Sequence, residues 1–254
     1  MKKVTLLCGM LLALTAAVAS AAPGTNLRWN ECLGDGGPIN RNFACNVNTG
    51  TNVLIGSMQV GSSIIGASGN EIVIDFAAAS PVLPAWWQMR NVGTCRSTSL
   101  SMQFAPTVNA VNCIDWGAGQ AGGGIGAYNL GTVEGGPNTA RLVSATAVPA
   151  TALADLFPGQ EYYVCTVAVN NLKTVGTGAC AGCNVPVCIV YNSNKVTTQV
   201  AANDRIIHGA TNGTDSNYAT WQGGVGVTSG RGIGCPAATP TKNATWGRVK
   251  SLYR

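Results

Sequence analysis

Cysteine is the residue type whose spacing in this chain comes closest to prescribing chemistry. Cys180, Cys183 and Cys188 fall within nine residues, and Cys235 follows beyond a Gly-rich stretch. Four thiolates at such spacing could hold a tetrahedral zinc ion, and Cys180-x-x-Cys183 alone could act as a redox pair. Against zinc, the second pair is far from a C-x-x-C arrangement. Against redox work, no βαβ pattern surrounds the first pair. Disulfide bonding is therefore the expected chemistry, with no metal and no cofactor.

Other constellations are weaker. Gly117, Gly119 and Gly122 match G-x-G-x-x-G, but a dinucleotide fingerprint needs a strand before it and a helix after it. Further glycines follow immediately instead. Nucleophilic hydrolysis needs a base beside the nucleophile, and His208 is the one histidine. It follows Arg205, Ile206 and Ile207, which reads as the end of a strand. A glycosidase would need two converging carboxylates. Glu71, Asp75, Asp115, Glu134, Asp155 and Glu161 are available, with Glu71 and Asp75 expected on the solvated face of one strand. The segment from Asn212 to Asn217 carries oxygen donors but lacks the closing Glu of an EF-hand loop, so it is expected to be an Asx-rich turn. Asn212 and Asn243 fit the N-glycosylation pattern.

Indole rings offer a different chemistry. Trp86 and Trp87 sit between prolines, and Trp116 and Trp221 sit in Gly-rich surroundings. Exposed indoles would stack on sugar rings. Buried ones would plug the end of a core, since exposing both Trp86 and Trp87 leaves a costly apolar patch. The second expectation is favoured by burial statistics.

The elements that must position these residues begin with a leader. Lys2 and Lys3 precede an apolar run from Val4 to Val18 that ends in Ala19-Ser20-Ala21, the pattern of a cleavable export signal over residues 1–21. The run is shorter than the ~20 residues that span a bilayer. A single β-domain is expected over residues 22–235, followed by a tail over 236–254. Charged residues make up only 10% of the chain, and the bases are scattered. Nucleic acid therefore has no electrostatic footprint here, and no later apolar run is long enough to cross a membrane.

The chain holds ten cysteines, of which Cys8 lies in the leader. The other nine predict four bridges and one free thiol in an oxidising compartment. Eight paired cysteines allow about 105 connectivities. Loop length favours Cys32 with Cys45 and Cys95 with Cys113, leaving Cys180, Cys183, Cys188 and Cys235 to join the Cys-rich corner to itself and to the C-terminal region. Cys165, alone among apolar neighbours, is the expected buried and inert thiol.

Period-two alternation marks strands at residues 52–60, at 71–77, where Ile72, Ile74 and Phe76 share a face, and at 99–104, where Leu100, Met102 and Phe104 do. Residues 113–137 read as an ordered Gly-rich loop, and residues 152–157 as one or two helical turns stopped by Pro158-Gly159. Residues 139–148, 161–170, 187–191 and 195–200 resume β character. The predicted class is an all-β, disulfide-stapled antiparallel β-sandwich, Ig-like with Greek-key connections or jelly-roll-like, with long Gly-rich loops.

Leu156-Phe157-Pro158-Gly159-Gln160-Glu161-Tyr162, entering a strand, resembles the tyrosine corner of fibronectin type III and immunoglobulin-like domains. The likeness covers about fifteen residues and implies a structural role for Tyr162, whose phenol would bond to backbone upstream. The leader, the Cys-rich corner and the tail together resemble uncharacterised secreted Cys-rich β-proteins of bacteria, a likeness that brings no function with it.

The leading expectation is a non-catalytic, structural or adhesive protein, secreted or at the cell surface, whose partners are a glycan or other cell-surface proteins. The alternatives are a carbohydrate-binding protein using Trp86, Trp87, Trp116 or Trp221, and a secreted hydrolase built on carboxylates.

Overall fold

Alternation shapes the longest strand of the protein. In the computed structural model, which describes residues 23–106, 113–131, 136–209, 216–227 and Cys235, β4 (Ile64–Ala78) turns Ile72, Ile74 and Phe76 into the core, where all three are fully buried. The predicted leader and tail lie outside the described residues, as do Glu134, Asn212 and Asn243.

Thirteen strands lie among the described residues: β1 (Gly24–Trp29), β2 (Asn40–Arg41), β3 (Thr51–Gln59), β4, β5 (Leu100–Gln103), β6 (Ile114–Asp115), β7 (Gly122–Leu130), β8 (Thr139–Ala147), β9 (Ala154–Leu156), β10 (Glu161–Asn170), β11 (Val187–Thr198), β12 (Arg205–His208) and β13 (Tyr218–Trp221). A five-stranded sheet runs β1-β3-β10-β5, with β6 beside β10. An eight-stranded sheet runs β2-β13-β11-β4-β8-β7, with β12 beside β11 and β9 beside β4. The long pairings are antiparallel; the two-residue strands β2 and β6 join in parallel.

The sheets face each other across one core. Leu27, Leu54, Met58 and Val167 of the smaller sheet meet Ile72, Phe76, Leu142 and Ile189 of the larger. The protein is an all-β sandwich stapled by disulfides. No helix among the described residues is long and apolar enough to cross a membrane.

Several local expectations are corrected. Residues 113–137 are not simply a loop, because β7 pairs with β8 from Gly122 to Leu130. Glycine disfavours a strand interior, but Gly123 faces the backbone of Ala145 and Thr146 so closely that a Cβ would overlap it. The neighbouring strand thus requires the glycine that hid β7 from pattern reading. Residues 152–157 hold no α-helix; a 3-10 turn at Ala150–Ala152 leads into β9. Asn192 to Asn194 do not interrupt β11, which passes through them with a bulge between Tyr191 and Ser193.

Asp75 is not solvated. Arg141 of β8 clamps its carboxylate, Nε to Oδ1 at 2.7 Å and Nη2 to Oδ2 at 3.0 Å, and Asn192 Nδ2 donates to Oδ2 at 2.7 Å. That pairing lets a carboxylate lie fully buried.

A bulge between Tyr163 and Cys165 also separates two residues that strict strand alternation would place on one face. Cys165 joins the main core with Val167 and Val169, while Tyr163 packs with Cys32, Ile55 and Cys113 in a second cluster. That cluster is closed by the Cys32–Cys113 bridge.

The pairings expected from short loops are overturned. Cys32 bonds Cys113, Cys45 bonds Cys183, Cys95 bonds Cys180 and Cys188 bonds Cys235. Sequence proximity misleads here because strand ends that are distant in the chain lie side by side in the sheets. Cys165 is free and buried.

Candidate functional site at the bridged end of the sandwich

Strand register gathers four loops at one end. Thr51 of β3 stands across from Asn170 of β10, Leu100 of β5 across from Val169, and Val187 of β11 between Ala78 of β4 and Trp221 of β13. The segments 42–50, 79–99, 171–186 and 222–227 must therefore emerge together. Two bridges tie them: Cys45–Cys183 and Cys95–Cys180.

Aromatic rings fill the space beneath. Trp221 stacks on Trp86 with centroids 5.2 Å apart, meets Trp87 edge to face at 5.5 Å, and packs against Trp29 and Phe43. Buried indoles need partners for their N–H groups. Trp221 Nε1 donates to the Cys183 carbonyl at 2.6 Å, Trp29 Nε1 to the Thr220 carbonyl at 2.9 Å and Trp86 Nε1 to Thr174 Oγ1 at 3.1 Å.

The expected sugar-stacking surface is thereby removed. Trp86, Trp87 and Trp221 are fully buried and Trp116 nearly so. The rings turn toward one another because a shared apolar plug removes their area from water.

Arg96 closes the plug from above. Its guanidinium carbon lies 3.6 Å from the Trp86 ring centroid. Nε donates to the Leu172 carbonyl at 3.0 Å, Nη1 to the Trp86 carbonyl at 2.7 Å, and Nη2 to the Asn170 carbonyl. The side chain is buried, and no described carboxylate pairs with it. Burial depresses its pKa from the ordinary value to about 10, slightly opposed by Tyr128. Backbone carbonyls and the Trp86 ring face answer this charge, with no counter-ion among the described residues.

Over this charge lies a surface pocket of about 250 Å³, lined by Asn48, Ser97, Thr98, Ser99, Lys173 and Thr177 together with Arg96 itself and the flanking Cys95, Leu172 and Val175. Asn48 builds one wall: its Oδ1 accepts from the Thr174 and Val175 N–H groups at 2.8 and 2.9 Å. Lys173 sits at a left-handed φ of 59° and its Nζ donates to the Cys95 carbonyl at 2.7 Å.

Comparison with protein-family models, with curated proteins and with solved structures found no match. Function must therefore be read from these residues alone.

The remaining expected residues lie elsewhere. Cys180 and Cys183 bond to Cys95 and Cys45 and not to each other, and Cys188 and Cys235 form a third bridge, so the four-thiolate zinc set and the redox pair are both absent from these sulfurs. Cys32, Asp35 and Cys113 approach like metal ligands, but the two sulfurs are bonded to each other. His208 is exposed at the end of β12. Gly117 and Gly119 form a turn on Asp115, whose carboxylate accepts both N–H groups, and the strand β7 follows where a dinucleotide site needs a helix.

The carboxylates are held by separate sets of donors. Glu71 pairs with Lys195 at 3.0 Å, Asp155 accepts the Gly66 N–H, and Glu161 accepts from Leu33 N, Gly34 N and Ser57 Oγ. Tyr162 lies at the opposite end of the sandwich. Its hydroxyl accepts the Phe157 N–H at 2.7 Å and donates to Gln160 Oε1 at 2.8 Å, tying the start of β10 to the backbone five residues upstream.

Arg96 and Lys173 escaped sequence reading. The signal was faint: a cation directly after Cys95, and another in the turn that follows β10.

Proposed function

We propose that the chain is an exported, non-catalytic structural or adhesive β-sandwich protein that works at the cell surface or outside the cell. One observation carries this reading. The four bridges among the described residues close loops of 81, 138, 85 and 47 residues, so every one joins segments that lie far apart in the chain. Such covalent closure suits an oxidising compartment and a protein that must keep its shape without chaperone support. The buried carboxylates serve the same end: Asp75 pairs with the Arg141 guanidinium, and Glu161 accepts from backbone N–H groups and a hydroxyl within the fold. The low charge and the pattern of residues 1–21 support export.

The test is fractionation of cells producing the full-length chain, with mass spectrometry of the recovered N-terminus and a non-reducing peptide map. Export predicts a start just after Ala21 and no protein in the cytoplasmic fraction. Recovery of intact, thiol-bearing chain beginning at Met1 from the cytoplasm of the native host overturns the proposal.

A further inference from the structure

The pocket over Arg96 presents one exposed cation, Lys173, above the buried Arg96, with exposed hydroxyls beside it and no described acid paired with either cation. Arg96 and Lys173 form no ion pair among the described residues; the described ion pairs are Arg141–Asp75 and those of Lys195 with Glu71 and Asp204. Lys173 spends one of its three N–H donors on Cys95. The other two are free of described partners, at a pocket that Arg96 also lines. Cations without a counter-ion at a concave site attract an anion, and the low-dielectric floor strengthens that attraction.

The rest of the lining narrows the class of anion. Asn48 Nδ2 is spent on the Val175 carbonyl at 3.0 Å, yet the hydroxyls of Ser97, Thr98 and Thr177 bond to no described residue. A hydroxyl donates and accepts at once, which suits a polyol better than a peptide, whose flanking groups are mostly amides. Leu172, about half exposed at 49%, sets an apolar surface beside these hydroxyls, as the C–H face of a sugar ring requires. The volume of about 250 Å³ falls below the ~300 to 1,000 Å³ of drug-sized sites, room for one sugar unit with its chain leading into solvent.

We infer that this pocket binds a carboxylate-bearing saccharide, with Lys173 taking the carboxylate and Ser97, Thr98 and Thr177 taking the ring hydroxyls. The inference gives the adhesive reading its ligand and rests on that reading only for access to glycans; the binding chemistry is independent of where the protein resides.

Lys173 is the residue to change, because asparagine tolerates the left-handed backbone found there and Arg96 is needed for packing. Calorimetric titration of the purified, disulfide-bonded protein uses a galacturonic acid trimer, the uncharged galactose trimer and sodium acetate. The acidic trimer is expected to bind, the galactose trimer and acetate to bind at least tenfold more weakly, and Lys173→Asn to lose about tenfold in affinity, the usual worth of a charge-assisted hydrogen bond. An unchanged melting temperature for Lys173→Asn shows that the loss lies in the site. A second variant, Thr98→Val, removes a hydroxyl without altering charge and is expected to weaken the acidic trimer while leaving acetate unaffected. No binding of the acidic trimer, equal binding of the galactose trimer or of acetate, or full affinity in Lys173→Asn each overturns the assignment. None of these outcomes touches export, which the N-terminus and fractionation decide separately.

Discussion

Cys165 of β10 stands directly across from Gly56 of β3, so close that a Cβ on the glycine would lie 2.9 Å from the sulfur. The Tyr191 ring borders the same spot. Glycine is the one residue that lets the thiol seat itself between the sheets. Burial pushes the Cys165 pKa up to about 12 and pushes the Tyr191 phenol well above its usual value.

This thiol makes stability sensitive to alkali. Below pH 9 it is protonated in both folded and unfolded chains. Above pH 9 the unfolded chain releases the proton first, so stability falls until the folded thiol ionises near pH 12. The slope is about 1.4 kcal/mol per pH unit for one such proton. Tyr128, Tyr163 and Tyr191, all raised by burial, add the same sign from pH 10 upward, whereas Arg96 acts oppositely there. Urea denaturation between pH 9 and 10 should therefore show a downward trend in wild type that is flattened in Cys165→Ala. A native-state thiol titration should find no reactive sulfur, and one after unfolding.

Arg96 holds three loop carbonyls and one indole face with a planar fork. An ammonium on a single stem cannot address all of them. Arg96→Lys is expected to cost about 3 kcal/mol, in the range for breaking a buried charge from its partners. Denaturant melts monitored by tryptophan emission check the value, and a red shift in the folded baseline would show the Trp86, Trp87 and Trp221 plug loosening.

The bridges differ in the loops they close but little in expected effect. Chain entropy rises slowly with loop length, so each of the four is worth about 4 to 5 kcal/mol in that model. Cys45→Ala with Cys183→Ala should lower the melting temperature and expose the aromatic plug, since Trp221 leans on the Cys183 carbonyl. Cys188→Ala with Cys235→Ala should lower it by a similar amount while leaving that plug intact. A non-reducing peptide map should recover the four pairs seen here and not Cys32 with Cys45.

Tyr162 ties the loop that precedes its own strand. Tyr162→Phe removes the partner of the Phe157 N–H and is expected to cost about 1 to 2 kcal/mol, the usual penalty for a half-buried donor left unpaired. Hydrogen exchange at Phe157 should quicken in the variant, and exchange in β11 should not.

The alternation of Ile72, Ile74 and Phe76, and of Leu100 with its neighbours, was readable because a strand repeats every two residues whatever it packs against. The backbone tie of Tyr162 was readable for a similar reason: its partners lie within five residues. β7 was hidden because its sequence is rich in glycine, of which Gly123 makes sense only beside Ala145. The burial of Asp75 was hidden because it depends on Arg141, sixty-six residues away. Burial of Trp86 and Trp87 was the favoured expectation, but their shared partner was hidden, since nothing near Trp86 in the chain announces Trp221.

Taken by itself, the amino-acid order determined the β period, the presence of many cysteines and the scarcity of charge, all of which are properties of single residues or near neighbours. Which sulfur bonds to which, which rings meet, and the placing of Lys173 above Arg96 were decided only by tertiary structure. Antiparallel register brings residues together according to strand order in the sheets, and that order arises from burying both inner faces at once, a condition that no local segment can satisfy alone.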